Sequence, residues 1–183
     1  MSEKNSTNQH NFQFEHNGET LWYSRSVVVS CYTFARNQEG EWCALVNKRG
    51  PGLPNNVGLW NTVTGYLDFY ESNIDAVRRE TKEETGVDLP EECISLSYTR
   101  VNKEGDQNVV FGHVCLLPET TDKYPTSTEF CEPGEVEEAR WMPISEVDKY
   151  EWANHHNVNI KKLFDDTLRI RRYMPGQKCT GER

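Results

Sequence analysis

Between two groups of β-branched stretches lies one segment with every local mark of a helix, and it restricts the fold more than any other part of the chain. Ser72 begins it, with Asp75 three residues on as the partner in a capping box, and Gly86 ends it with the left-handed conformation a helix stop favours. On a helical wheel Ile74, Val77, Thr81 and Thr85 form one narrow stripe, expected to pack inward. Such a stripe needs a surface to cover, and strands on both sides supply one. Ser26 to Ala35 (SVVVSCYTFA) reads as a strand, Asn37 to Gly40 as a turn, and Glu41 to Lys48 (EWCALVNK) as a second strand. A Gly, Pro and Asn-rich loop, Arg49 to Gly58, leads to a short extended piece, Leu59 to Gly65. Beyond the helix, strands are expected around Cys93 to Asn102 and Asn108 to Leu117, joined by the turn KEGD, and near Ala139 to Met142. A last helix, from about Asn157 to Tyr173, carries Ile160, Leu163, Phe164 and Leu168 at helical spacing. Strands and helices alternate, which implies an α/β fold with a mixed sheet covered by helices.

The chain has 183 residues, close to the length of one domain. A single domain over residues 12–174 is expected, with a Ser/Asn/Gln-rich tail at 1–11 and a fraying tail at 175–183. No apolar run approaches the ~20 residues of a membrane helix, and no apolar segment follows Met1 as in a secretory signal. A cytoplasmic protein with no membrane partner is the expectation. Twenty basic residues against 29 acidic ones leave a net charge of −9, which lacks the positive field that drives nucleic-acid binding. A phosphorylated ligand would then require local cations or a metal ion. The six cysteines are scattered, without a CxxC pair, and read as reduced thiols.

The helix has an odd charge pattern. Asp75 with Arg79, and Arg79 with Glu83, are favourable pairs at i,i+4. Glu80 and Glu84 are a like-charge pair at the same spacing, at the edge of the inward stripe, where a salt-bridged surface helix would place a lysine. A hard divalent cation removes that repulsion, because Mg²⁺ takes carboxylate and water oxygens. From the helix alone, a solvated acidic face and a metal site both stay open.

The stretch Gly65 to Val87, GYLDFYESNIDAVRRETKEETGV, resembles the signature of the Nudix hydrolase family. Gly65, Glu71, Arg79, Glu80, Glu83, Glu84, Gly86 and Val87 occupy the motif positions; only Thr81 departs, standing where an aliphatic residue is usual. Seven fixed positions at roughly 7% each make a chance match in this length about one in a million. The resemblance implies a Nudix-type α/β/α sandwich with a mixed β-sheet, the motif forming a loop–helix–loop. It also implies that Glu80, Glu83 and Glu84 hold one or more Mg²⁺ or Mn²⁺ ions, with the Gly65 carbonyl in the same shell. Arg79 and Glu71 would brace the loop against the helix, and Gly86 would end it. The general base of the family is a motif glutamate or an acid on a distant loop, which leaves Glu80 or Glu135. Glu135 follows Pro133-Gly134 in an acidic segment that carries no Lys or Arg of its own, with Glu132 and Glu138 as rivals.

Upstream, Lys48 and Arg49 open the Gly/Pro loop, where they can meet substrate phosphates or simply end a strand in solvent. Trp22, Trp42 and Trp60 read as core, and His113, His155 and His156 as structural. Lys161, Lys162, Arg169, Arg171 and Arg172, offset by Asp165 and Asp166, read as an exposed helix face. The expected activity is metal-dependent hydrolysis of the diphosphate linkage in a nucleoside diphosphate linked to another moiety. ADP-ribose, nucleotide sugars, dinucleotides and (d)NTPs all remain in that class, because the subfamily markers are missing. Two alternatives stand beside it. One is a non-catalytic nucleotide-sensing domain. The other is an isopentenyl-diphosphate-type isomerase, which needs a reactive cysteine near the motif, whereas the nearest upstream is Cys43. A homodimer is compatible with the sequence but not required by it.

Overall fold

A computed structural model describes residues 12–23, 26–101 and 108–173. The expected tails at 1–11 and 175–183, and the turn KEGD, lie outside the described residues. The elements run β1 (Phe12–His16), β2 (Glu19–Tyr23), β3 (Val27–Arg36), β4 (Trp42–Arg49), β5 (Trp60–Asn61), β6 (Val63–Tyr66), α1 (Asn73–Thr85), β7 (Ile94–Val101), β8 (Val109–Thr120), β9 (Val136–Pro143) and α2 (His156–Tyr173). Short 3₁₀ turns fill several connections, at Glu91–Cys93, Thr121–Lys123, Ile144–Lys149 and Ala153–His155.

Seven strands, β3 to β9, form one mixed sheet. The parallel pair β3–β8 is its spine, in register from Val27 opposite Val109 to Phe34 opposite Leu116. On the other edge of β3, β6 pairs with its first half and β4 with its last residues. The two strands therefore diverge, β5 pairs with β4 beside the gap, and β9 runs antiparallel along the outer edge of β4. β7 closes the far edge against β8. Alternation along β3 supplies both faces of the sheet. Val29, Cys31 and Ala35 join Ala76 and Val77 of α1 in one core, while Tyr32 and Phe34 join Ile160 and Leu163 of α2 in the other. The result is an α/β/α sandwich around a mixed sheet. Each fully buried valine or leucine contributes about 1.5–3 kcal/mol, so the two cores hold both helices in place.

Local chemistry explains α1. The Ser72 hydroxyl accepts the Asp75 N–H at 3.1 Å and donates to the Asp75 carboxylate at 2.6 Å. Gly86, at φ 77°, returns its N–H to the Lys82 carbonyl at 2.9 Å. Thr81 sits fully buried in the aliphatic position because its hydroxyl donates to the Val77 carbonyl at 2.6 Å, leaving its methyl to the core. The inward face is broader than the stripe expected. Ala76, Glu80 and Glu84 are buried with Val77, Thr81 and Thr85, while Ile74 is only half-buried. Arg79 pairs with Glu83 as expected, but its other carboxylate partners are Glu71, Glu80 and Asp68 rather than Asp75.

The β1–β2 hairpin was not expected from the sequence, although Asn17-Gly18 at its turn is the strongest short hairpin signal. β9 starts at Val136, three residues before the strand read near Ala139. Trp60 is buried, and Trp42 packs edge-on against Phe164 at 5.6 Å. Lys161 and Lys162 meet Asp148 and Asp166 on the outside of α2. Among the described residues the cysteines form no disulfide, and burial pushes the Cys31 thiol up to about 12 and the Cys43 thiol to about 11. No described helix is long and apolar enough to cross a membrane.

Candidate active site

Where β3 and β4 diverge, α1 packs against β6 and turns two glutamates toward the sheet. Glu84 is 6% exposed; its Oε2 accepts from Asn47 Nδ2 of β4 at 2.5 Å and from the Thr64 N–H of β6 at 3.3 Å. Glu80 lies one helical turn back, its carboxyl group against Gly65, where any side chain would collide with it. Glycine at 65 is therefore a steric requirement of the Glu80 position.

Arg79 ties this helix to the preceding loop. Its Nε and Nη2 reach the two oxygens of Glu71 at 2.8 and 3.0 Å, and Nη2 also donates to the Tyr66 carbonyl at 2.9 Å. Its Nη1 donates to Glu80 Oε1 at 2.8 Å and to Glu83 Oε2 at 3.1 Å. The guanidinium holds the Glu71 carboxyl below the usual carboxylate range.

The loop after β4 brings in a third acid. Gly50 N–H donates to the Glu135 carbonyl at 2.8 Å and Gly52 N–H to the Gly134 carbonyl at 2.7 Å. A Cβ on Gly50 would strike the Gly134 backbone, so the two segments meet closely only with glycine there. Gly134, at φ 84°, makes the turn that starts β9 with Glu135 just outside it.

Glu80, Glu84 and Glu135 all line a cleft of about 900 Å³, together with Gly65, Arg49 and Arg100. Burial, then the charge of neighbouring acids, pushes the Glu84 carboxyl well above its ordinary range, with Glu80 and Glu135 both contributing. Burial also raises Glu80, against the opposing pull of Arg79. Neither Arg49 nor Arg100 forms an ion pair with a described residue, although Arg49 donates to the backbone and side-chain oxygens of Asn55. In a chain of net charge −9, these two cations face the same space as the acids.

The other expected site residues fall elsewhere. Glu83 has a side chain 43% exposed, is held by Arg79 and does not line the cleft. Lys48 points to Glu137 at 2.7 Å, so the acidic segment finds its counter-charge across the sheet instead of within itself. Glu138 lies 3.6 Å from Arg140, and neither Glu138 nor Glu132 lines the cleft. His155 and His156 do line it, as do Arg100 and Asn47, which sequence reading had not marked. Arg100 had no local signal at all, being one exposed position in a strand. Among the described residues, no three His, Cys, Asp or Glu side chains are gathered into a closed ligand cluster. The donors present are nonetheless hard oxygens whose mutual repulsion a divalent cation would relieve, so the residues fit one.

Residues 24–164 match the family model of the NUDIX domain. Two curated proteins of Arabidopsis thaliana are each 32% identical to this chain. Nudix hydrolase 2 matches over 138 residues, 74% of this chain and 45% of the relative, and Nudix hydrolase 8 over 114 residues, 62% and 28%. The chain thus spans less than half the length of these relatives. Among solved structures, the NUDIX domain of Shewanella oneidensis NrtR, complexed with ADP ribose, superimposes with a TM-score of 0.66 at 18% identity, covering 91% of this chain and 99% of that one. That likeness concerns the fold. The family match takes in the whole sheet, helix α1 and the carboxylate cleft, and the chain belongs to the Nudix family.

Proposed function

We propose that this protein is a divalent-metal-dependent hydrolase that cleaves the diphosphate linkage of a nucleoside diphosphate joined to another moiety. One observation carries the reading: three carboxylates, two of them raised by burial and by neighbouring acids, share a cleft with two arginines that have no acidic partner among the described residues. Glu80 and Glu84, with Gly65, would hold the ion, in keeping with the hydrolase names of the relatives. A bound Mg²⁺ or Mn²⁺ offsets the charge of the phosphates and makes the attacking water more acidic.

The chain's own groups divide the remaining work. Glu84 is anchored by Asn47 and the Thr64 N–H, and Glu80 by Arg79, so both are held in fixed positions. The Glu135 carboxylate has no hydrogen bond or ion pair to a described residue, and it is the group free to take the proton from water. Water then attacks one phosphorus in line, the bridging P–O bond on the opposite side breaks, and the other phosphate leaves with the bridging oxygen, its charge met by Arg49 and Arg100. A small-molecule nucleotide derivative is the partner; nothing in the cleft calls for nucleic acid. A non-catalytic nucleotide sensor is the second reading, favoured by Glu83 being drawn to Arg79 and away from the cleft.

The deciding experiment is product release from ADP-ribose, NADH, nucleotide sugars, dinucleoside polyphosphates and (d)NTPs with Mg²⁺ or Mn²⁺. One substrate turned over well above the others, and lost in EDTA and in Glu84→Gln, supports hydrolysis. Binding without turnover across the panel supports the sensor.

A further inference from the structure

Two side chains in the cleft are buried and incompletely bonded. Asn61 of β5 is 2% exposed and Asn108, immediately before β8, is 8% exposed, and both line the cleft. The Oδ1 of each is shielded from solvent and has no hydrogen-bond partner among the described residues. Buried polar atoms in native proteins are overwhelmingly paired, and an unpaired one is a cost that calls for an explanation.

Their positions relate them to the acids. Asn61 stands opposite Asn47 in the β4–β5 ladder, and Asn47 is the residue that anchors Glu84. Asn108 precedes the Val109 that begins both ladders of β8, and Arg100 stands opposite Val110 in the next pair. The orphan atoms thus share one cavity with the carboxylates and with Arg49 and Arg100.

The chemistry of the atom limits what it can receive. A carbonyl oxygen only accepts, so its partner must be an O–H or N–H. Phosphate oxygens ionised at neutral pH offer no such proton, and the diphosphate is matched by Arg49 and Arg100 instead. We propose that Asn61 and Asn108 are specificity-determining residues that accept hydrogen bonds from the uncharged nucleoside part of the ligand. The donors with that chemistry are the ribose hydroxyls and the exocyclic amine of a base. This inference rests on the reading of the cleft as a nucleoside diphosphate site. Of the described side chains that carry a buried, unpaired polar atom (Asn61, Asn108, His113 and Arg140), the two asparagines are the ones that line the cleft, where a ligand can complete them.

The test is equilibrium binding by calorimetry, so it does not depend on turnover. The probes are AMP, 2′-deoxy-AMP, IMP, inorganic pyrophosphate and Mg²⁺ alone, against wild type, Asn61→Leu and Asn108→Leu, with thermal melts of each protein. The expected result is AMP affinity reduced about tenfold or more in either variant. Pyrophosphate and Mg²⁺ binding should be unchanged, and melting temperature unchanged or higher, because a leucine removes the orphan atom. In wild type, a tenfold loss with 2′-deoxy-AMP assigns the ribose as donor, and with IMP the base amine. Equal AMP affinity in all three proteins overturns the proposal, as does a parallel loss of AMP and pyrophosphate binding with a lower melting temperature, which marks a structural role. Weaker Mg²⁺ binding in either variant also overturns it. A chain that binds AMP as described but hydrolyses nothing would refute the hydrolase reading and leave these two residues standing.

Discussion

Acidification should destabilise this protein through His156. Its imidazole is 4% exposed, and its Nδ1 accepts the Thr62 N–H at 3.2 Å, so a proton added there faces a donor that is already aimed at it. Burial, followed by the charges of Arg100 and Arg49, pulls the group from 6.5 down to about 4. A depressed base binds its proton more readily in the unfolded chain. Its contribution to stability is therefore complete above pH 6.5 and is lost as pH falls from 6.5 toward 4. At 1.36 kcal/mol per pH unit the full loss is about 3 kcal/mol, and by pH 5 it is about 2 kcal/mol. That is a large share of a typical domain's 5–15 kcal/mol. The assay is urea unfolding of wild type and His156→Gln in EDTA, from about pH 7.5 to about pH 4.5. Raised carboxyls such as Glu84 act in the opposite direction but are common to both proteins and cancel in the difference. The stability gap between the two should narrow steadily below pH 6.5. Curves that stay parallel throughout would show that His156 is not held neutral, and the burial argument would fail.

Three further outcomes follow from the site. Gly65→Ala places a methyl in the space of the Glu80 carboxyl group, which must swing aside; turnover should fall about 100-fold while unfolding free energy changes little, read from kinetics and urea melts. Glu84→Gln should raise the metal-free melting temperature by about 2–4 °C while abolishing turnover, because it removes a buried charge next to Glu80 and Glu135. A lower melting temperature would mean that the Asn47 contact outweighs the repulsion. Arg79→Lys breaks the two-point grip on Glu71 and should cost about 2 kcal/mol, with no compensating gain when Glu71 is replaced by Gln in the same chain.

Much of the architecture was legible because local rules were strong. Ser72, Asp75 and Gly86 delimit α1 in the sequence and do so in the fold, and the β-branched run that begins β3 needs no tertiary information to read as a strand. The hairpin turn at Asn17-Gly18 carries an equally local signal, with both residues at positive φ. The inward face of α1 was less legible. A wheel of apolar residues leaves Glu80 and Glu84 at the edge, since nothing local announces that Asn47 and the Thr64 N–H wait on other strands to receive a carboxylate.

Spacing along the chain is enough to mark the motif, its helix and its carboxylates, because a capped helix and its i,i+4 pairs are short-range physics. Which carboxylates meet is a matter of long-range packing. Glu135 joins Glu80 and Glu84 only because β9 runs beside β4 and because Gly50 and Gly52 let the Gly134 turn come within hydrogen-bonding distance. Arg79, adjacent in sequence to Glu80, draws Glu83 outward, while Arg100 enters the cleft from the far edge of the sheet. Those choices depend on which strands pair and which backbones can touch, and only the folded chain sets them.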